Sequence, residues 1–347
     1  MTTLSASLSR RRASQRGSAL ILVFWLIFML SMIVSTMMRI VGHDMTLTIA
    51  QKQAFRARQV AEMGINFAMN PAVKEYDRDL LNQSGAGSNL CNLEPDESFS
   101  VRIRGEGGRM NINAYLQQGE AKRTFLTKWF SIWGLENDTA DALFDIMVDW
   151  VDADSTATGI RGMEKEEYVA IYGENTPYPF NRPFYSLEEM RFVPGFDRIV
   201  ANLPDWRDYF TVYSASGRID ANEAEAKVLV AAAVAMEDAS DPAREFEERL
   251  PDAQQAVVDL WGPDGIEDTE DDEDTKIKSD EELAAALGDF VDVSDEDFLT
   301  TFGFSDQTVH IESVATVGEF RKRVVLIVRN RTGTPQILSR EEVPLFQ

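Results

Sequence analysis

Residues 16–38 read Arg16-Gly-Ser-Ala-Leu-Ile-Leu-Val-Phe-Trp-Leu-Ile-Phe-Met-Leu-Ser-Met-Ile-Val-Ser-Thr-Met-Met38. From Ser18 to Met38 there are 21 residues and no charge. A helix of that length rises about 32 Å, enough for the hydrocarbon core of a bilayer. Arg10, Arg11, Arg12 and Arg16 precede it. The positive-inside rule then keeps the first 17 residues in the cytoplasm and puts the remainder outside. A secretory signal has a shorter apolar core followed by a small-x-small cleavage site. This run is too long, and Ser31 and Ser35 offer only weak sites inside it. A plain membrane anchor shares the pattern.

The join Arg16-Gly17-Ser18 places a small residue after a basic leader and immediately before the apolar run. It resembles a type IV prepilin cleavage site, where the leader is cut on the cytoplasmic side and the helix stays on the protein. The helix is expected to continue beyond the membrane. Leu47, Ala50, Ala54, Ala57, Ala61, Ile65 and Ala68 recur at spacings of three and four, with Lys52, Arg56, Arg58 and Glu62 mostly off that stripe. Small residues permit close approach to a sheet or another helix. Asn70-Pro71 ends the pattern.

Charge divides the chain unevenly. Residues 1–41 hold five Arg and no acid, so the other 306 residues carry 29 basic and 58 acidic groups, a net charge of −29. Such a body repels phosphate backbones, which argues against nucleic acid and favours cations. Cys91 is the only cysteine, so no intrachain disulfide forms. His43 and His310 are the only histidines, and neither sits in a pocket-like context. That argues against a Ser-His-Asp or Cys-His hydrolase and against zinc; no catalytic residue is assigned.

Farther along, residues 98–104 alternate apolar and polar, Gly105-Glu-Gly-Gly108 turns, and Arg109-Met-Asn-Ile-Asn113 alternates again. This predicts a β-hairpin. A second hairpin is predicted from residues 308–316 and 323–329 around Gly318. Between the two, residues 120–133, 138–151, a short segment from Ser186, and 223–236 read as helices. Gly108-Arg-Met-Asn-Ile-Asn-Ala114 is echoed by Gly217-Arg-Ile-Asp-Ala-Asn-Glu-Ala224; shared turn chemistry and a true repeat both account for it. The fold class expected is α+β: a long N-terminal helix on an antiparallel sheet, with a large mainly helical insertion.

Two acidic groups are candidate cation sites. Residues 264–274 hold eight acids in eleven, with Asp264, Asp268, Asp271 and Asp272 the candidate ligands for Ca²⁺. The spacing is not an EF-hand, and a solvated acidic loop accounts for the same composition. Asp149, Asp152 and Asp154 with Glu164 form the second, weaker candidate. An acid–base pair among these has no supporting motif or apolar cleft. The Phe192-Val-Pro-Gly-Phe196 turn resembles a helix-hairpin-helix, but Glu188, Glu189, Asp197, Asp205 and Asp208 around it argue for a structural role rather than phosphate binding.

The leader with its helix, Arg109-Met-Asn-Ile-Asn113, Asp149-Trp-Val-Asp-Ala-Asp154, residues 183–195, Arg218-Ile-Asp-Ala-Asn222 and the last hairpin together resemble the type II secretion minor pseudopilin K family. They follow the family's order across most of residues 17–330. Counting from Ser18, the fifth residue is Leu22. Most type IV pilins and pseudopilins place there a Glu that pairs with a neighbour's terminal amine; the K family is similar to this chain in lacking it. A subunit with nothing above it has no use for that carboxylate.

The resemblance implies a type IV pilin-like fold and a non-enzymatic subunit at the tip of the type II pseudopilus, nucleating its assembly and aiding export of folded proteins across the outer membrane. It implies minor pseudopilins I and J, then H, as partners, with the major pseudopilin G and the prepilin peptidase. It places a single-pass protein in the bacterial inner membrane, N-terminus cytoplasmic and body periplasmic, and it favours calcium, which family members can bind. A minor pilin of a type IV pilus, for adhesion or DNA uptake, is the alternative, and a membrane-anchored periplasmic enzyme the more distant one. The expected organisation is a leader at 1–17, a membrane helix at 18–41, pilin-like segments at 42–114 and 216–347, and the helical insertion at 115–215. The 17-residue leader is longer than is common, and Cys91 cannot make the disulfide found in some relatives. Replacing Gly17 with a bulky residue should retain the leader, and mass spectrometry should find the mature terminus at Ser18, N-methylated. An assembled protein that still begins at Met1 would refute this.

Overall fold

The computed structural model describes residues 15–87, 91–237 and 239–344. Arg10, Arg11 and Arg12 of the expected leader lie outside them. Gly17 and Ser18 lie on the backbone of the first helix, α1 (Gln15–Ala68). Its apolar residues from Leu20 to Val41 are exposed, and its first part is long and apolar enough to cross a membrane.

The second part of α1 has a different environment. Ala57, Val60, Ala61, Ile65 and Ala68 are buried against a five-stranded sheet. The expected stripe therefore engages only from Ala57 onward; Leu47 is exposed. A short helix α2 (Arg78–Leu81) leads into β1 (Asn82–Ser84), followed by β2 (Glu97–Gly105). With β7 (Thr308–Val317), β8 (Phe320–Arg329) and β9 (Gln336–Pro344), the sheet runs β1-β2-β7-β8-β9 and is antiparallel throughout. Period-two alternation puts Phe99, Val101 and Ile103 of β2 on the α1 side, where all three are buried. Arg331, only 5% exposed, ties the end of α1 in place. Its guanidinium donates to Ala68 O at 2.8 Å and Val73 O at 3.0 Å, and to Glu75 Oε1 at 2.9 Å. A cation at a helix C-terminus satisfies orphan carbonyls and complements the helix dipole.

The first predicted hairpin does not form. After β2, the chain does not turn back; Met110-Asn111 becomes β3 and pairs in parallel with β4 (Phe210–Thr211). The glycines serve close passage instead of a hairpin turn. A Cβ would lie 2.3 Å from Glu223 Cγ at Gly105, 2.2 Å from Asp306 Cβ at Gly107 and 2.1 Å from Glu223 O at Gly108. The chain threads between the sheet and a second, helical core.

That core runs from Met110 to Phe302. Its helices include α3 (Ile112–Leu116), α4 (Arg123–Ile132), α5 (Asn137–Val151), α6 (Lys165–Tyr172), α7 (Phe196–Asn202), α8 (Ala226–Met236) and α9 (Pro242–Leu260). Trp129, Trp150 and Trp206 are fully buried in it. The segment after Ser186 is a tight 3₁₀ turn, Leu187–Phe192, rather than an α-helix. The helical core does not stop at residue 215, where the insertion was expected to end. It includes α8, α9 and Phe298, and returns the chain at β6 (Phe302–Gly303).

The sequence echo has a structural counterpart. Ile219-Asp220, matching Met110-Asn111, forms β5, and it too pairs in parallel with a two-residue strand, β6. The capping roles differ. Asn111 caps α3 by accepting from Ala114 N, which its counterpart Asp220 does not do for α8, whereas the matching Asn113 and Asn222 both clamp distant backbone, at Phe184 and at Ile277 and Phe304 respectively. The last hairpin is as expected: β7 (Thr308–Val317) and β8 (Phe320–Arg329), turning at Gly318 with φ +56°. A further strand, β9 (Gln336–Pro344), completes the sheet.

At Gly64, α1 lies close against the sheet. A Cβ there would lie 2.4 Å from Ser313 Oγ and 2.7 Å from Val101 Cγ2. Gly64→Ala should destabilise the full chain by about 1–3 kcal/mol through overpacking, measured by chemical denaturation in detergent micelles. A stability equal to that of the parent would show that α1 does not seat this closely.

Candidate functional site

Two acidic regions were candidates, and the structure treats them differently. In the loop after α9, carboxylates serve as internal acceptors. Asp264 Oδ1 accepts from Ile266 N at 2.8 Å. Asp271 accepts from Thr269 Oγ1 at 2.8 Å, and Asp272 from Thr269 N at 3.2 Å and Thr269 Oγ1 at 3.0 Å. Asp268 adopts φ +62° and faces the charges of Arg104 and Arg102. Asp264, Asp268, Asp271 and Asp272 are not gathered into one ligand set among the described residues.

The other region is gathered. Helix α5 buries Asp149 completely on its inward face, and Asp152 and Asp154 follow directly. The loop then folds back, so that Glu164 arrives as the N-cap of α6. Asp152, Asp154 and Glu164 each place a carboxylate oxygen within 4.8 Å of the others. Asp149 Oδ1 accepts from Thr158 N at 2.8 Å. Asp149 Oδ2, Asp152 Oδ1 and Glu164 Oε1 are buried without a hydrogen-bond partner among the described residues. Gly162 allows the return path: a Cβ there would lie 2.3 Å from Asp149 Oδ2. Thr158 and Gly162 were not singled out from sequence. Their only signal is small residues spaced between acids, which many loops share.

The electrostatics follow from this crowding. Burial, then repulsion from Asp149, Asp152 and Asp154, pushes Glu164 up to about 7. Burial also raises Asp149 and Asp152. The neighbouring Asp145 is ion-paired with Arg123, whose Nη2 lies 2.7 Å away. Buried, unpartnered oxygens with hard, all-oxygen chemistry fit a divalent cation such as Ca²⁺. A bound cation would supply the positive charge that the cluster lacks and let all the carboxylates ionise.

The other marked residues are separate from this region. Leu22 is exposed on the apolar half of α1. His310 lies on β7 with Nδ1 3.5 Å from Glu106 Oε2, at the junction of the sheet with the helical core. Glu106 is itself 2% exposed and accepts from Thr211 Oγ1 at 2.6 Å.

The family profile for type II secretion system (T2SS), protein K matches residues 108–215. The matched segment is thus similar to a type II secretion system protein K domain. It contains the whole Asp149–Glu164 cluster and most of the aromatic core. A curated relative, type II secretion system protein K of Pseudomonas aeruginosa, is 27% identical over 105 residues, which is 29% of this chain. The match spans 31% of that relative's length. Among solved structures, the chain is similar to one in the crystal structure of the GspK-GspI-GspJ complex from the type II secretion system of enterotoxigenic Escherichia coli. The TM-score is 0.56 at 14% identity, covering 87% of this chain and 100% of the other. The shared architecture is the pilin-like fold with a helical insertion, as the protein K resemblance implied.

Calcium should stabilise the full chain, and the shift should depend on pH. The folded chain holds the Glu164 proton up to about 7, while an ordinary glutamate loses it near 4.5. In that window the cation-free fold loses stability as pH rises, because ionisation is easier in the unfolded chain. A cation must displace the proton below pH 7. Millimolar Ca²⁺ should therefore raise the melting temperature more at pH 8 than at pH 5.5. Asp152→Asn with Glu164→Gln should abolish the shift, while Asp264→Asn with Asp272→Asn should leave it. Equal melting with calcium and with chelator at pH 8 would refute the site.

Proposed function

We propose that this chain is a minor pseudopilin at the tip of the type II secretion pseudopilus, where it nucleates assembly and assists export of folded proteins across the outer membrane. The observation that carries this reading is a protein K domain set within a pilin-like scaffold whose helix begins with a long apolar span. The printed partners of the GspK structure, GspI and GspJ, are the proposed partners here. Pseudopilins H and G and the prepilin peptidase complete the proposed set. In this reading the apolar half of α1 crosses the inner membrane once and the body lies in the periplasm.

Two features favour an end position over the shaft. Leu22 offers no carboxylate to a neighbour's terminal amine, so nothing electrostatic is gained from a subunit above. The helical core, from Met110 to Phe302, gives the subunit far more bulk than the sheet alone, which disfavours close lateral packing around a fibre. The cation cluster, in this reading, holds the loop between α5 and α6 in a fixed shape. Turnover chemistry is not part of the proposal.

Leu22→Glu should leave the fold intact, cost about 2–3 kcal/mol of membrane insertion when unpaired, and fail to turn the protein into a shaft subunit. Gold labelling of assembled pseudopili should mark one end. Regular labelling along the shaft would refute the tip position. Co-purification with type IV pilus subunits in place of I and J would support the minor-pilin alternative.

A further inference from the structure

The two hydrophobic cores leave a space where they meet. A cavity of about 640 Å³ lies there. The end of β2 forms one side, and the chain leading from β5 into α8, residues 221–226, forms another. Helix α9 and the acidic loop after it close the rest. Arg78 Nη2 donates to Glu267 O at 3.2 Å, which ties that loop to the segment after α1.

The walls have two characters. From α9 come Val257, Val258, Leu260 and the indole of Trp261, all half-buried. Such a wall gains from being covered by hydrocarbon. The same cavity is lined by eight carboxylates and three cationic side chains. Several of the carboxylates are already paired. Asp208 and Glu225 meet Lys227 Nζ at 3.0 and 3.2 Å, and Glu75 meets Arg331 Nη2 at 2.9 Å.

Glu223 is the exception. Its one hydrogen bond among the described residues comes from Gly105 N, at 2.9 Å to Oε2. Oε1 faces no donor there. The side chain is pressed against the end of β2, so that a Cβ at Gly105 would lie 2.5 Å from Oε2. It still reaches solvent, as part of the cavity wall. Desolvation by the surrounding protein, then repulsion from Asp220, pushes Glu223 up to about 7, against the pull of Lys276. A cation brought to Oε1 would find an acceptor that the fold has positioned and left without a counter-charge.

The arrangement selects the kind of cation. Lys276 is raised despite desolvation, by Glu223, Glu273 and Glu75. With an ammonium already among them, these carboxylates do not converge on one metal ion, and none of them belongs to the gathered ligand set among the described residues. Negative charges spread along an apolar wall match positive charges separated by methylene groups. An indole in that wall adds attraction for an ammonium.

We propose that this cavity binds a linear aliphatic polyamine, with one ammonium on Glu223 and the methylene chain along Val257, Val258 and Trp261. A second ammonium would meet the carboxylates of the acidic loop that line the cavity, Asp268, Asp272 and Glu273. Glu223 is held to β2 through Gly105, and the loop follows α9, so an occupant would join the sheet to the helical core. The proposal is independent of any place in a pseudopilus, because it depends only on the cavity and its walls.

The test is isothermal titration of the full chain in detergent micelles, at about 0.15 M NaCl to screen surface charge, with spermidine as the probe. Spermidine should bind with one equivalent per chain at the cavity. Butylamine, with a single ammonium, should bind about tenfold more weakly. Glu223→Gln keeps an acceptor for Gly105 N and removes the charge, and it should weaken spermidine about tenfold or more. Asp264→Asn with Asp274→Asn removes two charges of the same loop outside the cavity lining and should change the affinity by less than about twofold. Parent affinity should rise between about pH 5.5 and pH 8 as Glu223 ionises, since the amines stay protonated throughout. Asp220, Lys276 and Glu75 are the charged groups that face Glu223. The rise should vanish in Glu223→Gln and persist in Asp152→Asn with Glu164→Gln, which separates it from the other acidic cluster. Val257→Phe narrows the cavity from the opposite chemistry and should also weaken binding, so it decides the matter if Glu223→Gln fails to fold. Four outcomes would each overturn the proposal. They are no spermidine binding at about 1 mM, equal affinity for butylamine, unchanged affinity in both Glu223→Gln and Val257→Phe, and a loss in the Asp264–Asp274 double variant as large as in Glu223→Gln.

Discussion

The close seating of α1 on its sheet is the constraint from which the rest of the molecule follows. One continuous helix is exposed and apolar in its first half and small on one face in its second, where it meets β2, β7 and β8. Ala57, Ala61, Gly64 and Ala68 supply that face, and at Gly64 a Cβ would meet Ser313 and Val101 of the sheet. A sheet with one face against a helix buries alternate residues, which is why Phe99, Val101 and Ile103 point inward and Ser100, Arg102 and Arg104 outward. Arg331 fixes the helix end from the far side of the sequence, tying the segment after β8 to the end of the N-terminal helix.

The helical core is attached to this frame through a narrow, polar junction. Glycines at 105, 107 and 108 let the chain pass against Glu223 and Asp306. Asp306 N donates to Asp220 Oδ2 at 2.7 Å, and Asp220 N donates to Gly107 O at 2.8 Å, so the outgoing and returning chains are tied through Asp220. Buried polar groups of this kind must be satisfied or they cost stability. The junction satisfies most of its members locally, and the two hydrophobic cores remain separate on either side of it.

The two acidic regions differ in what their carboxylates meet. In the loop after α9, Asp264, Asp271 and Asp272 turn back onto nearby amides and the Thr269 hydroxyl. Between α5 and α6, the helix geometry holds Asp149 inside while Glu164 is fixed by its cap position, and several oxygens are left facing each other. The density of acids along the chain favoured the first region. The burial of unpaired oxygens favours the second.

Much of this was legible in the sequence because its causes are local. The uncharged run from Ser18 to Met38, the small-residue spacing to Ala68, the alternation of the last hairpin and the helical periods around Trp129 and Trp150 each follow from neighbours a few residues away. The remainder depended on partners far along the chain. Gly105-Glu-Gly-Gly108 has the composition of a hairpin turn, and only the position of Glu223 and Asp306 makes it a passage between two cores. β9 carries Arg340, Glu341 and Glu342, and reads as polar because it is an edge strand. The extent of the helical core to Phe302 was hidden because its two-residue strands are too short to leave a period. The sequence by itself determined the anchor helix, the α+β class and the resemblance to protein K. Only the tertiary structure decided which acids meet and where the two cores divide, because each of those is a distance between residues that the chain order keeps far apart.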